Sequence, residues 1–167
     1  MNLVVRIRRA FFDGLLADLR RPHPFAFERA GFLFAKRSDV SPSEAILFPV
    51  EYRAINDDDY VPDDTVGVTF NTASIRGALQ RARSSREACL QVHVHEHRGV
   101  PHFSGVDVRT IDDLSRALRV VAPGQAHGGL VLSQDFISGR IWTPDGSKLA
   151  RTRVTIVGFP FTLGPEA

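Results

Sequence analysis

Hydrophobic residues follow two different periods along the chain, and the changes between these periods predict its secondary structure. In NLVVRIR, near the start of the sequence, Leu3, Val5 and Ile7 fall on one face of a strand. The next apolar residues recur every three to four positions, which predicts an amphipathic helix over residues 9–21. The stretch RPHP at 21–24 predicts the end of this helix, because proline cannot continue a helix.

The middle of the chain is predicted to form two strands, a helix and a third strand. The runs FAFERAGFLFAKR (25–37) and EAILFPVEYRAI (44–55) are strand-like, and the polar turn SDVSPS between them predicts antiparallel pairing. Apolar residues at helical spacing from Ile75 to Ala82 predict a second helix. The run EACLQVHVHEH (87–97) then predicts a return to strand.

The last third of the chain is predicted to be one helix followed by three strands. Helical spacing begins at Ser104 and ends at APG (122–124). Three closing strands follow in GGLVLSQ, FISGRIW and RTRVTIVGF, and the turn TPDGS joins the last two. The full order, β-α-β-β-α-β-α-β-β-β, predicts an α/β fold of the α+β kind: a central mixed, mostly antiparallel sheet flanked by helices.

Composition narrows the class of protein. A chain of 167 residues is expected to form a single domain over residues 1–167, and 43% hydrophobic with 24% charged residues is ordinary for a globular protein. The net charge is +2 and the arginines are scattered among acids, so we expect no nucleic-acid partner. No apolar run reaches the roughly 18 residues of a membrane helix, and early arginines interrupt any signal sequence. We therefore expect a cytoplasmic protein with no membrane partner.

The stretch HVHEHRGVPHFSGVD, residues 93–107, contains four of the six histidines. At the end of a strand, His93 and His95 share a face and can present two imidazoles to one metal ion, although such pairs are common without a metal. Asp107, in the first turn of the next helix, can supply a third ligand, although such a residue taken alone is more often a plain helix N-terminal charge. Ser104 is equally a good N-cap. Both readings stay open on these residues alone.

A single carboxylate stands out upstream. Glu28 is one of the few charges in the apolar run FAFERAGFLFAKR. Burial there would be unfavourable unless the carboxylate is paired or used chemically, whereas a half-exposed strand would let it face solvent.

Together these residues resemble the signature of the JAB/MPN metalloprotease family, also called JAMM: an upstream glutamate, then H-x-H, a spacer and S-x-x-D. The resemblance implies that His93, His95 and Asp107 bind one catalytic Zn²⁺. It implies that Glu28 acts as general base and then general acid, and that Ser104 donates a hydrogen bond to the oxyanion of the tetrahedral intermediate. It also implies the family's cytidine-deaminase-like α/β fold.

The resemblance implies a function as well. It indicates a zinc-dependent, deubiquitinase-like isopeptidase or peptidase that cleaves after the C-terminal tail of a ubiquitin-like protein. Bacterial members occur beside ubiquitin-like conjugation systems, some of them antiphage, so activating and conjugating enzymes of the same operon are expected partners. Processing of a sulfur-carrier protein is the alternative within this chemistry, and a non-catalytic MPN-type scaffold is the alternative outside it. A histidine-triad nucleotide hydrolase is disfavoured, because Glu96 and Arg98 occupy positions that are apolar in that motif.

Two features of the stretch depart from the family pattern. Glu96 replaces a proline that commonly follows the second histidine, and the spacer between His95 and Ser104 has eight residues rather than seven. This leaves His97 and His102 as substitute ligands. The acidic run NDDDYVPDD at 56–64 lies where family members carry an insertion beside the cleft, so it is predicted either to line the cleft or to be a solvated loop.

Overall fold

The computed structural model describes residues 2–22, 28–62, 67–149 and 152–158. The described part of the chain contains seven strands and three α-helices, in the order that the sequence predicts. The elements are β1 (Asn2–Arg8), α1 (Arg9–Leu19), β2 (Ala30–Ser41), β3 (Glu44–Ala54), α2 (Thr72–Ser85), β4 (Ala88–Val94), α3 (Gly105–Val121), β5 (His127–Leu132), β6 (Ile137–Trp142) and β7 (Arg153–Val157). Among these helices none is both long and apolar enough to cross a membrane.

The strands form one mixed sheet in the order β6-β5-β4-β2-β3-β1-β7. The pairs β2–β3, β2–β4 and β5–β6 are antiparallel, whereas β1–β3, β1–β7 and β4–β5 are parallel. The mixed α/β class is therefore confirmed. The expectation of a mostly antiparallel sheet is wrong, because α3 crosses over between β4 and β5 and makes them parallel.

The last two strands do not form the hairpin that the turn TPDGS suggests. The chain reverses tightly within this turn, where Gly146 has a φ of 87°, and Trp142 bridges Lys148 directly. Strand β7 then pairs with β1. Strands β6 and β7 are therefore the two outermost strands, at opposite ends of the sheet order. The two ends still approach each other, since a Cβ added to Gly139 of β6 would lie 2.8 Å from Cβ of Thr152. The sheet is therefore curled.

Several boundaries also differ from the sequence predictions. Strand β2 continues through Ser41, because its pairing with β3 extends to the last residue before a two-residue turn. Strand β4 ends at Val94, so His95 and His97 follow the strand instead of lying in it. Glu28 precedes β2, and its backbone N–H donates to the carbonyl of Gly67 at 3.1 Å. The predicted strand residues 25–27 and acidic residues 63–64 lie outside the described residues.

The sheet has a separate apolar core on each face. On one face α1 packs Leu15 and Leu19 against the strands. On the other face α2 and α3 pack against Phe32 and Phe34 of β2. Alternate residues of a strand point to opposite faces, so in β4 the residues of even number join the α1 core, and Cys89, Gln91 and His93 face α2 and α3. This alternation brings His93 to the side of the sheet where α3 begins.

Candidate metal centre

The side chain of His93 is completely buried, near the carboxyl end of β4. Its strand is paired on both sides, with Ala30 of β2 opposite His93 on one side and Val131 of β5 on the other. Neither ring nitrogen has a hydrogen-bond partner among the described residues. Burial of an imidazole without any partner is unfavourable, so this residue calls for a ligand at one of its nitrogens.

His95 lies beside His93, one residue beyond the end of β4. Its backbone N–H donates to the carbonyl of Leu132 at 2.7 Å, which keeps the chain alongside β5 after the ladder has ended. The two imidazole centroids are 5.1 Å apart. Burial, and then the charge of His93, lower the pKa of His95, so the His95 ring favours the neutral form that binds metals.

Ser104 and Asp107 form a capping box at the start of α3. The Ser104 hydroxyl accepts from the backbone N–H of Asp107 at 3.1 Å, and the Ser104 backbone N–H donates to Oδ2 of Asp107 at 2.7 Å. The other carboxylate oxygen, Oδ1, lies 3.6 Å from Nε2 of His93. One carboxylate oxygen of Asp107 therefore caps the helix, and the other faces His93.

The pKa of Asp107 reflects this double environment. Burial acts to raise it, but the interaction with His93 and the hydrogen bonds from Ser104 outweigh burial and bring the pKa to about 2. The carboxylate is consequently ionised at neutral pH. An ionised, fixed oxygen beside an unpaired imidazole is a suitable pair of metal ligands.

Glu28 lies next to His95, the second histidine of the pair. Its Oε1 lies 3.7 Å from Nε2 of His95. Burial raises the pKa of Glu28, the charge of His93 opposes the shift, and the carboxylates of Asp107 and Glu96 add to it. Glu28 thus holds a proton more readily than an ordinary glutamate does.

Gly67 gives the Glu28 carboxylate its space, and sequence reasoning missed this residue. A Cβ added to Gly67 would lie 2.5 Å from Oε2 of Glu28, closer than any real side chain allows. The hydrogen bond between the two backbones fixes this approach. Its only signal in the sequence is a glycine after an acidic loop, and that pattern does not identify a partner 39 positions away.

Three of these side chains converge closely enough to hold a metal ion. The ligand atoms of Glu28, His93 and His95 all lie within 4.8 Å of one another. Two imidazole nitrogens with one carboxylate oxygen form a donor set that zinc and similar ions accept, and the unpaired nitrogens of His93 fit such an ion. Asp107 adds a second carboxylate next to His93.

A cleft of about 250 Å³ opens over this centre. It is lined by Glu28, Gly67, Val68, His95, Ser104, Val106 and Asp107. The cleft therefore gives solvent access to His95 and both carboxylates, whereas His93 stays buried beneath them.

Neither a scan against protein-family models nor a search of curated proteins finds a match to this chain.

The substitute ligands His97 and His102 do not join the converging group. The His97 ring is 5.7 Å from that of His95, and its Nδ1 lies 2.9 Å from the carbonyl oxygen of Arg98. Both histidines are exposed in the loop between β4 and α3. In the described part of the chain, the one convergent set of histidine and acidic ligand atoms is that of Glu28, His93 and His95.

Arg29 anchors the segment that carries Glu28. It is 2% exposed, and its guanidinium donates to the carbonyl of Arg21 at 2.8 Å and to Oδ1 of Asp57 at 2.7 Å. Asp59, nearby in the acidic run, accepts from Asn71 and Ser74. These described residues of the run are thus structural anchors rather than a purely solvated loop.

Proposed function

We propose that this protein is a zinc-dependent peptidase or isopeptidase of the JAB/MPN type. The observation that carries the proposal is the buried His93, whose ring nitrogens lack partners in the described structure, set against Asp107 and beside His95 under an open cleft. In a non-catalytic scaffold, a buried imidazole without a hydrogen-bond partner would only lower the stability of the fold. A metal ligand, by contrast, needs an unprotonated nitrogen.

In this proposal His93, His95 and Asp107 hold the zinc ion. Asp107 is preferred to Glu28 as the third ligand, because the capping box fixes its carboxylate and its low pKa keeps it charged. A bound zinc supplies Lewis acidity, which polarises a carbonyl and lowers the pKa of water toward 7.

Glu28 has the properties of a proton carrier in this scheme. The raised pKa of its carboxyl group brings it closer to neutral pH, where a group accepts and then releases a proton most efficiently. Its position on the cleft wall lets it take a proton from the attacking water and deliver it to the leaving amine. Gly67 keeps the carboxylate in this position.

Ser104 is proposed to stabilise the oxyanion. Its hydroxyl oxygen accepts from the helix backbone while the side chain lines the cleft, so one residue caps α3 and contacts the reacting carbonyl. A hydrogen bond of this kind contributes on the order of 3 kcal/mol to transition-state stabilisation.

The proposed substrate is the bond after the C-terminal tail of a ubiquitin-like protein. A cleft of about 250 Å³ favours an extended segment with small side chains over a bulky one. A sulfur-carrier protein with the same kind of tail presents the same chemistry, and the resemblance in the sequence supports either substrate.

The test is cleavage of a ubiquitin-like protein that carries a C-terminal extension, with and without a chelator, by the natural chain and by Glu28→Gln. Glutamine has nearly the same shape as glutamate, so the fold should be unchanged. Activity should be lost, because glutamine cannot carry the proton. Cleavage that persists undiminished after either treatment would contradict the mechanism. A purified protein with no stoichiometric zinc would favour the non-catalytic scaffold.

A further inference from the structure

A second cleft, of about 520 Å³, also borders His95. It is lined by Arg20, Val94, His95, Glu96, Arg98, Gln134 and Asp135. His95 also borders the proposed catalytic cleft, so the two clefts meet at this residue. A chain that passes over the metal centre therefore has room to continue past His95.

Gln134, in the turn between β5 and β6, brings two arginines of the second cleft together. Arg20, just after α1, donates from Nη2 to the Gln134 carbonyl at 3.5 Å. Arg98, in the loop after β4, donates from Nε to Oε1 of the same residue at 3.3 Å. The Gln134 backbone N–H in turn donates to the carbonyl of His97 at 3.0 Å. Two guanidinium groups from distant parts of the chain are thus held around one residue, one by its backbone carbonyl and the other by its side chain.

Neither of these guanidinium groups has a carboxylate partner in the part of the chain that the structure describes. Arg29, Arg81 and Arg140, by contrast, each have a carboxylate oxygen within 2.7 Å. Two like charges held close together repel each other unless an anion lies between them. The planar fork of donors on arginine is suited to a carboxylate.

The acidic residues of the second cleft do not neutralise the arginines. Asp135 is engaged elsewhere, because its Oδ1 accepts from the Gly99 backbone at 2.8 Å and from the Ser133 hydroxyl at 3.2 Å. Glu96 forms no salt bridge among the described residues. These two negative charges on the cleft wall still disfavour a doubly charged phosphate more than a single carboxylate.

We propose that Arg20 and Arg98 bind an acidic side chain of the peptide substrate, in the segment that continues from the catalytic cleft past His95 into the second cleft. The peptide nature of the ligand rests on the proposed function. The carboxylate preference rests on the two unpaired guanidinium groups.

Direct binding tests the assignment without requiring cleavage. The ¹⁵N-labelled protein is titrated with Nα-acetyl-glutamate amide and, separately, with its glutamine counterpart, while the Nε–H signals of Arg20 and Arg98 and the carboxamide of Gln134 are followed. The glutamate compound is expected to bind about tenfold more tightly, since it alone forms charge-assisted hydrogen bonds. Arg98→Gln should remove this difference, and Arg98→Lys should restore only part of it.

Arg76→Gln is the matched control, because it removes an exposed arginine from α2, away from both clefts. It should leave the preference for glutamate unchanged. Equal binding of the two compounds, or an unchanged preference in Arg98→Gln, would overturn the proposal, and tighter binding of inorganic phosphate would overturn the choice of a carboxylate. A binding preference without any peptide cleavage would count against the proposed function alone, so the two failures are distinguishable.

Discussion

Substitution of Gly67 by alanine tests whether Glu28 acts as a proton carrier or as a metal ligand. The new methyl group would lie 2.5 Å from Oε2 of Glu28, so the carboxylate must retreat by about 1 Å to reach ordinary contact. The effect is steric, because the nearest atoms to the added methyl group all belong to the Glu28 carboxylate. A displacement of this size in a reacting group reduces kcat by about 100-fold.

The same substitution should hardly change stability. The atoms in its way belong to the far end of a flexible side chain, so the free energy of unfolding should change by less than about 1 kcal/mol. Cleavage kinetics, urea unfolding and zinc content are measured together on Gly67→Ala. The expected result is low kcat with normal stability and a full complement of zinc.

Gly77→Ala provides the matched control. Gly77 lies in α2 with open space where the Cβ would be added, so this alanine should raise stability by about 0.5–1 kcal/mol and leave activity unchanged. Full activity in Gly67→Ala would refute the placement of Glu28 against Gly67. Loss of zinc in that variant would show that Glu28 is a ligand rather than a proton carrier.

Three further predictions concern pH, anchoring and the choice of ligands. Burial lowers the pKa of His127, so the unfolded chain binds more protons just below pH 6.5 and the free energy of unfolding should fall on acidification through that window; urea unfolding should show a weaker dependence in His127→Gln. Arg29→Met should lower the free energy of unfolding by about 2 kcal/mol through loss of the hydrogen bonds to Asp57 and a backbone carbonyl, and Arg29→Lys should recover part of it. His97→Ala should bind zinc normally while His95→Ala should not, and the reverse pattern in metal analysis would show that His97 is the ligand in place of His95.

The order of helices and strands could be predicted because the period of the apolar residues in each element follows from the core that it packs against. Strand β4 illustrates this, since its alternation follows directly from two cores on opposite sides of the sheet. The partner of β7 could not be predicted in the same way. Its pairing with β1 depends on the curl of the whole sheet, and the turn before it resembles an ordinary hairpin turn.

In the candidate site, too, some residues could be predicted from the sequence and others could not. The spacing from His93 to Asp107 is local enough that the helix cap and the histidine pair could be anticipated from the sequence. Gly67 and Arg29 could not, because each acts through a contact with a residue far along the chain. The convergence of Glu28 with the histidines was suggested by resemblance alone and is seen only in three dimensions.

The identity of the third ligand is the central claim, and zinc content per chain tests it most directly. Glu28→Gln and Asp107→Ala are compared by metal analysis after dialysis. Ser104→Ala serves as the control, because it weakens the same helix cap without removing a proposed ligand. One zinc ion per chain is expected in Glu28→Gln and Ser104→Ala, and almost none in Asp107→Ala. Zinc that is lost from Glu28→Gln and retained by Asp107→Ala would contradict the assignment of Asp107 as the third ligand.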